Sequence, residues 1–228
     1  MAPTLFTNVN ILEGTGVLPY RGSVLVEGNR IRQVGRSTSA ITPAGATLID
    51  GAGATLMPGM VEAHTHFSWN DAATLSGIQT MPLEEHVLWC AKVAKRYLHA
   101  GFTSCLGAAC AKPRLDVVIR NAINNGQIPG PRYLAASQEI TVPGGLGDET
   151  LPHLPFPEFS FGVNVNGAED MRKSVRMFLK YGVDSIKINL SGDNFVPGAD
   201  GVPTLISIDD ASTLFHEFGH AIHYLNYD

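Results

Sequence analysis

Cysteine is scarce in this chain: Cys90, Cys105 and Cys110 are the only three in 228 residues, and no two form a CxxC pair. An odd count without such pairs argues against a disulfide framework and against a cysteine-rich zinc site. The thiols are expected instead as small core residues on a helix and a strand. Charge is sparse as well, at 16% of residues with a formal net charge of −5. No Lys/Arg run stands out, so the electrostatic footprint required by nucleic acid or an anionic membrane is missing. No apolar run approaches the length of a membrane span. The opening "MAPTLFTNVNILEGTG" has no basic region leading into an apolar stretch and does not read as a secretory signal. What remains is the class of globular enzymes expected in a reducing cytoplasm. At 44% hydrophobic residues the chain can bury a sizeable core. Its length suits one domain, or one domain with a small appendage.

The rhythm of the sequence changes once near residue 57. Residues 4–56 carry short β-rich runs, "LFTNVNIL", "GSVLVEGNRIRQVG" and "ATLIDGAGATL", punctuated by glycine, with "EGNR" as a turn. From 57 onward strand and helix alternate. "GMVEAHTHF" reads as a strand, and 83–99 as a helix closed by Gly101. "TSCLGAA" reads as a strand, "RLDVVIRNAINN" as a helix ended by Gly126, and "PRYLAASQEIT" as a strand. A Gly/Pro-rich loop over 142–167 follows, then the helix "AEDMRKSVRMFLKYG" and the strand "SIKINL". Four β-units joined by helices imply a parallel sheet, either open or part of a barrel. A loop as long as 142–167 in a compact domain is a candidate border of a site.

Two positions on the strands carry chemistry. Side chains alternate along a strand, so His64 and His66 point the same way. Strict alternation adds Met60 and Glu62 to that face and puts Val61, Ala63, Thr65 and Phe67 on the other. In a β/α barrel the histidines then face inward at the strand's end, on the catalytic rim. Two imidazoles held this close suit zinc or another divalent ion; a satisfied polar pair would give the same spacing. On the last strand Lys187 lies with Ser185 and Asn189, opposite Ile186 and Ile188. An interior lysine is costly unless its charge is lost or paired. Reaction of the neutral amine with carbon dioxide, giving a carbamate, is one solution, and snorkelling to solvent is the other.

"IDGAGATLMPGMVEAHTHF", preceded by "GSVLVEGNRIRQVG", resembles the opening of the amidohydrolase superfamily. "GPRYLAASQEITVPGGLGD" and "YGVDSIKINLSGD" extend that resemblance to about residue 200, toward the imidazolonepropionase, Xaa-Pro dipeptidase-like and ochratoxinase-like branch. The resemblance implies an α/β chain: a small N-terminal β-sandwich portion over 1–56, then the first half, about four β/α units, of a metal-dependent (β/α)8 barrel over 57–200. It implies His64 and His66 as metal ligands and Lys187 as a carboxylated ligand bridging two ions, zinc or another divalent metal. The implied reaction is attack on an amide or peptide carbonyl by a metal-activated hydroxide. The implied substrate is a small amide or dipeptide-like molecule. Leu146 stands where relatives often carry histidine. Such barrels draw two more histidines from the fifth and sixth strands and an aspartate from the eighth, so the expected site here is partial and its activity weak or lost. A homo-oligomer covering the open sheet edges is the expected partner state.

A second motif lies in residues 201–228, a tail unlike the rest. "SIDDASTLFHEFGHAIHYL" starts with the capping candidates Asp209 and Asp210 and continues as an amphipathic helix. His216 and His220, one turn apart, suit a single zinc, with Glu217 as general base; His223 extends the same stripe. The segment resembles the HExxH helix of thimet oligopeptidase-like (M3) metallopeptidases, which implies a zinc peptidase. An inactive fragment or a metal-binding module remains the third alternative.

Overall fold

A computed structural model describes residues 2–36, 41, 45–154, 156 and 160–190. The chain divides into two compact units, Met1–Gly59 and Met60–Asp228.

The first unit is built on β1 (Thr4–Ile11), β2 (Tyr20–Glu27), β3 (Arg30–Gly35), β4 (Thr47–Asp50) and the two-residue β5 (Thr55–Leu56). They form one five-stranded sheet in the order β3-β2-β1-β4, with β5 also paired to β1. The β1–β2 and β2–β3 pairs are antiparallel, whereas β4 and β5 run parallel to β1. The turn expected at "EGNR" joins β2 to β3, and Gly28 takes the positive φ of +59° that such a tight hairpin needs. β1 carries apolar side chains to two small cores. Leu5 packs with Leu25 and Ile41, while Val9 and Ile11 pack with Val24. Alternation alone would give β1 one apolar face. The slip of register between Phe6 and Val9, where Asn8 adopts φ +52°, changes the face partway along the strand.

The second unit runs β6 (Met60–Thr65), α1 (Leu75–Gln79), α2 (Leu83–His99), β7 (Phe102–Gly107), α3 (Leu115–Asn124), β8 (Arg132–Leu134), β9 (Ala136–Thr141), β10 (Gly162–Asn164), α4 (Ala168–Tyr181) and β11 (Ser185–Ile188). Among the described residues every strand pairing in it is parallel, in two sheets ordered β6-β7-β8 and β10-β9-β11. The helix expected over 83–99 has those limits. Glu84 and Glu85 in its first turn and Arg96 and His99 in its last complement the helix dipole. Gly101, at φ +93°, ends it. The strand expected over 131–141 is divided at Ala135 into β8 and β9. The loop over 142–167 is not wholly irregular, because Gly162–Asn164 pairs with β9 as β10.

Two cores tie helices to strands. Phe67, Cys90, Ala94, Cys105, Cys110, Leu115, Ile119 and Tyr133 form the larger. Phe67 stacks on Tyr133 with ring centroids 4.2 Å apart. Ile140, Val165, Met171, Val175 and Phe178 form the other, with Ile186 and Ile188 against it. Met171, Val175 and Phe178 follow the spacing of one helix face, and each such side chain contributes roughly 2 kcal/mol by burial. The three cysteines are free and buried, as their scarcity and spacing implied. His86, on α2, is fully buried. It falls in step with buried Cys90 and Ala94 at intervals of four, and its Nε2 bonds the Ser68 carbonyl.

Candidate metal centre

β6 ends at the histidine pair, and its path departs from strict alternation. Glu62 opposes Cys105 and Thr65 opposes Gly107, so three steps along β6 answer two along β7. The extra residue turns Glu62 to the side of buried Cys105, away from the face expected for it; burial first, and then the charge of Glu62, raises the Cys105 thiol. Thr65, fully buried, donates its hydroxyl to the Leu106 carbonyl at 2.8 Å, and Phe67 enters the core. Locked between these two, His64 and His66 share the opposite face.

The two Nε2 atoms lie 3.2 Å apart. The His66 Nδ1 faces the Ala109 carbonyl at 3.3 Å. With Nδ1–H donating there, the Nε2 lone pair is directed at the partner ring, the tautomer that a metal-ligating histidine needs. Trp69 stacks on His66 at 4.1 Å between centroids and 22° between planes. Burial pushes the His66 pKa down to about 4; the Ala109 carbonyl opposes this, while the charges of His64 and Lys187 add to it. His66 is therefore neutral at pH 7, and Lys187 is near enough for its charge to be felt.

Lys187 is half-buried on β11, and its backbone N–H donates to Ser137 Oγ at 3.0 Å. Ile186 and Ile188 pack toward α4, as alternation requires, leaving Lys187 on the other side in register with Glu139. Glu139 is nearly buried and accepts a 2.7 Å hydrogen bond from Asn189 Nδ2, which also donates to the Leu146 carbonyl at 2.8 Å. The loop crosses Glu139 so closely that a Cβ at Gly147, φ +87°, would stand 2.4 Å from Glu139 Oε2. Asp148 holds this loop by accepting from the Gly144 and Thr150 N–H groups and the Thr150 hydroxyl. Glu149 beside it has its pKa raised to about 7, by burial first and then by Glu139.

The donor chemistry fits a divalent ion at the histidine pair: two imidazole nitrogens converge, and one is oriented by a backbone carbonyl. Among the described residues no three His, Cys, Asp or Glu side chains gather around one point. His216, Glu217, His220 and His223 lie outside the described residues. His153 is exposed on its loop. Three neighbours of the site escaped the sequence reading. Trp69 is 38% exposed and lies against His66. Glu139 and Glu149 carry no local signal, since strand pairing and loop closure bring them together.

A parallel sheet with helices between its strands, bearing a His-x-His at a strand's end, defines a class of metal-dependent hydrolase scaffolds. The family model for the amidohydrolase family matches residues 55–192, and this chain belongs to that family. The model for peptidase family M3 matches residues 188–226. Among curated proteins, 5'-deoxyadenosine deaminase of Methanothermobacter thermautotrophicus is 46% identical over 65 residues, covering 28% of this chain and 14% of that protein. Ochratoxinase of Aspergillus niger is 28% identical over 162 residues, covering 60% of this chain and 31% of its own. Among solved structures, a prolidase complexed with N-methylphosphonate-L-proline superposes with a TM-score of 0.84 at 27% identity, over 97% of this chain and 54% of that one. The chain thus spans about half the length of the solved relative, and less of the curated ones. No helix among the described residues is long and apolar enough to cross a membrane.

Proposed function

We propose that this chain is a metal-dependent hydrolase cleaving an amide or peptide C–N bond, with His64, His66 and Lys187 as its metal ligands. In this reading β6, β7, β8 with β9, and β11 are the first four strands of a (β/α)8 barrel, and residues 1–56, 57–200 and 201–228 are its three parts. The observation that carries it is the 3.2 Å approach of the two Nε2 atoms in a chain of the amidohydrolase family. The relatives named as a prolidase, a deaminase and an ochratoxinase support the choice of a C–N bond and a small substrate.

A divalent ion such as zinc, when bound there, supplies Lewis acidity and makes a water acidic enough to ionise near neutral pH. The protein's own part is preparation. His66 presents an uncharged Nε2, held by the Ala109 carbonyl, and Trp69 covers one face of its ring against water. Lys187, once converted to its carbamate, would offer two oxygens on the same side. Glu139, with Asn189 and the loop at Gly147, forms the wall next to it. A cytoplasmic location and a homo-oligomer that covers the sheet edges at β6 and β11 belong to the same proposal.

Metal analysis of the purified chain beside an assay on N-acyl amino acid amides tests it. Stoichiometric zinc and turnover, both lost in His64→Ala and His66→Ala, are expected. A metal-free protein, or metal retained in both variants, refutes the assignment. The M3 match favours a second reading, a zinc peptidase with ligands His216 and His220 and base Glu217. Peptidase activity that survives Glu217→Gln excludes that one.

A further inference from the structure

We infer that a cleft beside the histidine pair is a binding subsite for the anionic end of a small ligand, a carboxylate on an apolar body, with Lys112 as the recognising group. The cleft is half open and measures about 750 Å³, room for a small ligand. None of its walls is His64, His66 or Lys187. Leu83, Ala111, Pro113 and Val163 give it apolar surface, and among the described residues no Asp or Glu lines it. Lys112 supplies the one cation among its described lining residues. The ammonium donates to the Met81 carbonyl, and among the described residues no carboxylate stands within ion-pair distance of it. An ammonium has three donors, so two N–H groups remain for a ligand.

The walls are fixed before any ligand arrives. Gln79 spends its amide N–H groups on the Ala111 and Ser160 carbonyls, at 2.7 and 3.4 Å. Gln138 donates to the Phe161 carbonyl at 3.4 Å. The Ala111 N–H is held by Ser68 Oγ at 2.9 Å, two residues after His66 in the chain. Trp69, stacked on His66, meets Phe161 edge-on at 6.1 Å between ring centroids. The cleft wall and the histidine pair are therefore joined through two short, rigid links. The role as a substrate subsite rests on the hydrolase reading above, but binding there requires no turnover.

The test uses 4-phenylbutyrate and 4-phenylbutanol, which differ in charge and contain no amide to cleave. Binding to the whole chain is followed by ligand-observed NMR and calorimetry. The carboxylate should bind, and Lys112→Gln should weaken it by roughly tenfold or more, the range of a hydrogen bond to a charged group. Lys112→Arg should retain most of the affinity, the alcohol should respond to neither change, and His64→Ala should bind the carboxylate as the unaltered chain does. Unfolding midpoints of the Lys112 variants separate lost binding from lost folding. Absence of carboxylate binding, equal binding by Lys112→Gln, or loss of binding in His64→Ala alone would overturn the inference. Failure to hydrolyse amides would refute the hydrolase proposal and leave this one standing.

Discussion

Asp116 offers the sharpest test of the packing behind the site. It is 1% exposed, at the start of α3. Its Oδ2 accepts from the Tyr133 hydroxyl at 2.6 Å and from the Ala136 N–H at 3.2 Å, while Oδ1 has no partner among the described residues. Burial raises its pKa from 3.8 to about 6, against hydrogen bonds from Tyr133, Ala136 and Cys110 that pull the other way. The folded state therefore binds more protons than the unfolded state between pH 4 and pH 6. Stability must fall as pH rises through that window and then level off, by about 3 kcal/mol from this residue. Asp116→Asn cannot ionise and lacks that slope. Relative to the unaltered chain, the variant should gain about 2.5 kcal/mol between pH 4 and pH 7.5, whatever its absolute stability. Urea unfolding followed by tryptophan fluorescence measures this, because both tryptophans, Trp69 and Trp89, lie in the unit that holds Asp116. Stability curves that stay parallel within about 1 kcal/mol across that range would refute the reasoning.

Three further outcomes follow from the same contacts. Gly107→Ala would set a Cβ 2.5 Å from Asp116 Oδ2, 2.7 Å from the Tyr133 hydroxyl and 3.0 Å from the Ala136 nitrogen; a loss of about 3 kcal/mol in urea unfolding is expected. His86→Ala empties a fully buried site and leaves the Ser68 carbonyl without its donor, so thermal unfolding should drop by a margin equal to about 2–4 kcal/mol. Trp69→Ala uncovers His66 while leaving both Nε2 atoms in place; zinc affinity measured by competition with a chelator should weaken roughly tenfold, a size common for outer-shell supports.

Much of the local structure was legible because it depends on neighbours in the chain. The helix at 83–99 shows in its acidic start, basic end and closing glycine. The face of Lys187, opposite Ile186 and Ile188, follows from the isoleucines on both sides of it. The burial of His86 was not read from the sequence, although its spacing of four to Cys90 and Ala94 is that of a buried stripe. Glu62 was not legible, because a one-residue bulge reverses the face of a strand and leaves no mark in alternation.

By itself the sequence determined the strand that ends in His64 and His66, their common face, and the family to which the chain belongs. Only the tertiary structure decided how far each ring is committed. It placed the Ala109 carbonyl on His66 Nδ1, laid Trp69 over the ring, and brought Glu139 into register with Lys187. The reason is physical: backbone geometry and side-chain periodicity are local, whereas burial, proton affinity and hydrogen-bond partners come from residues that meet only when distant strands and loops close on each other.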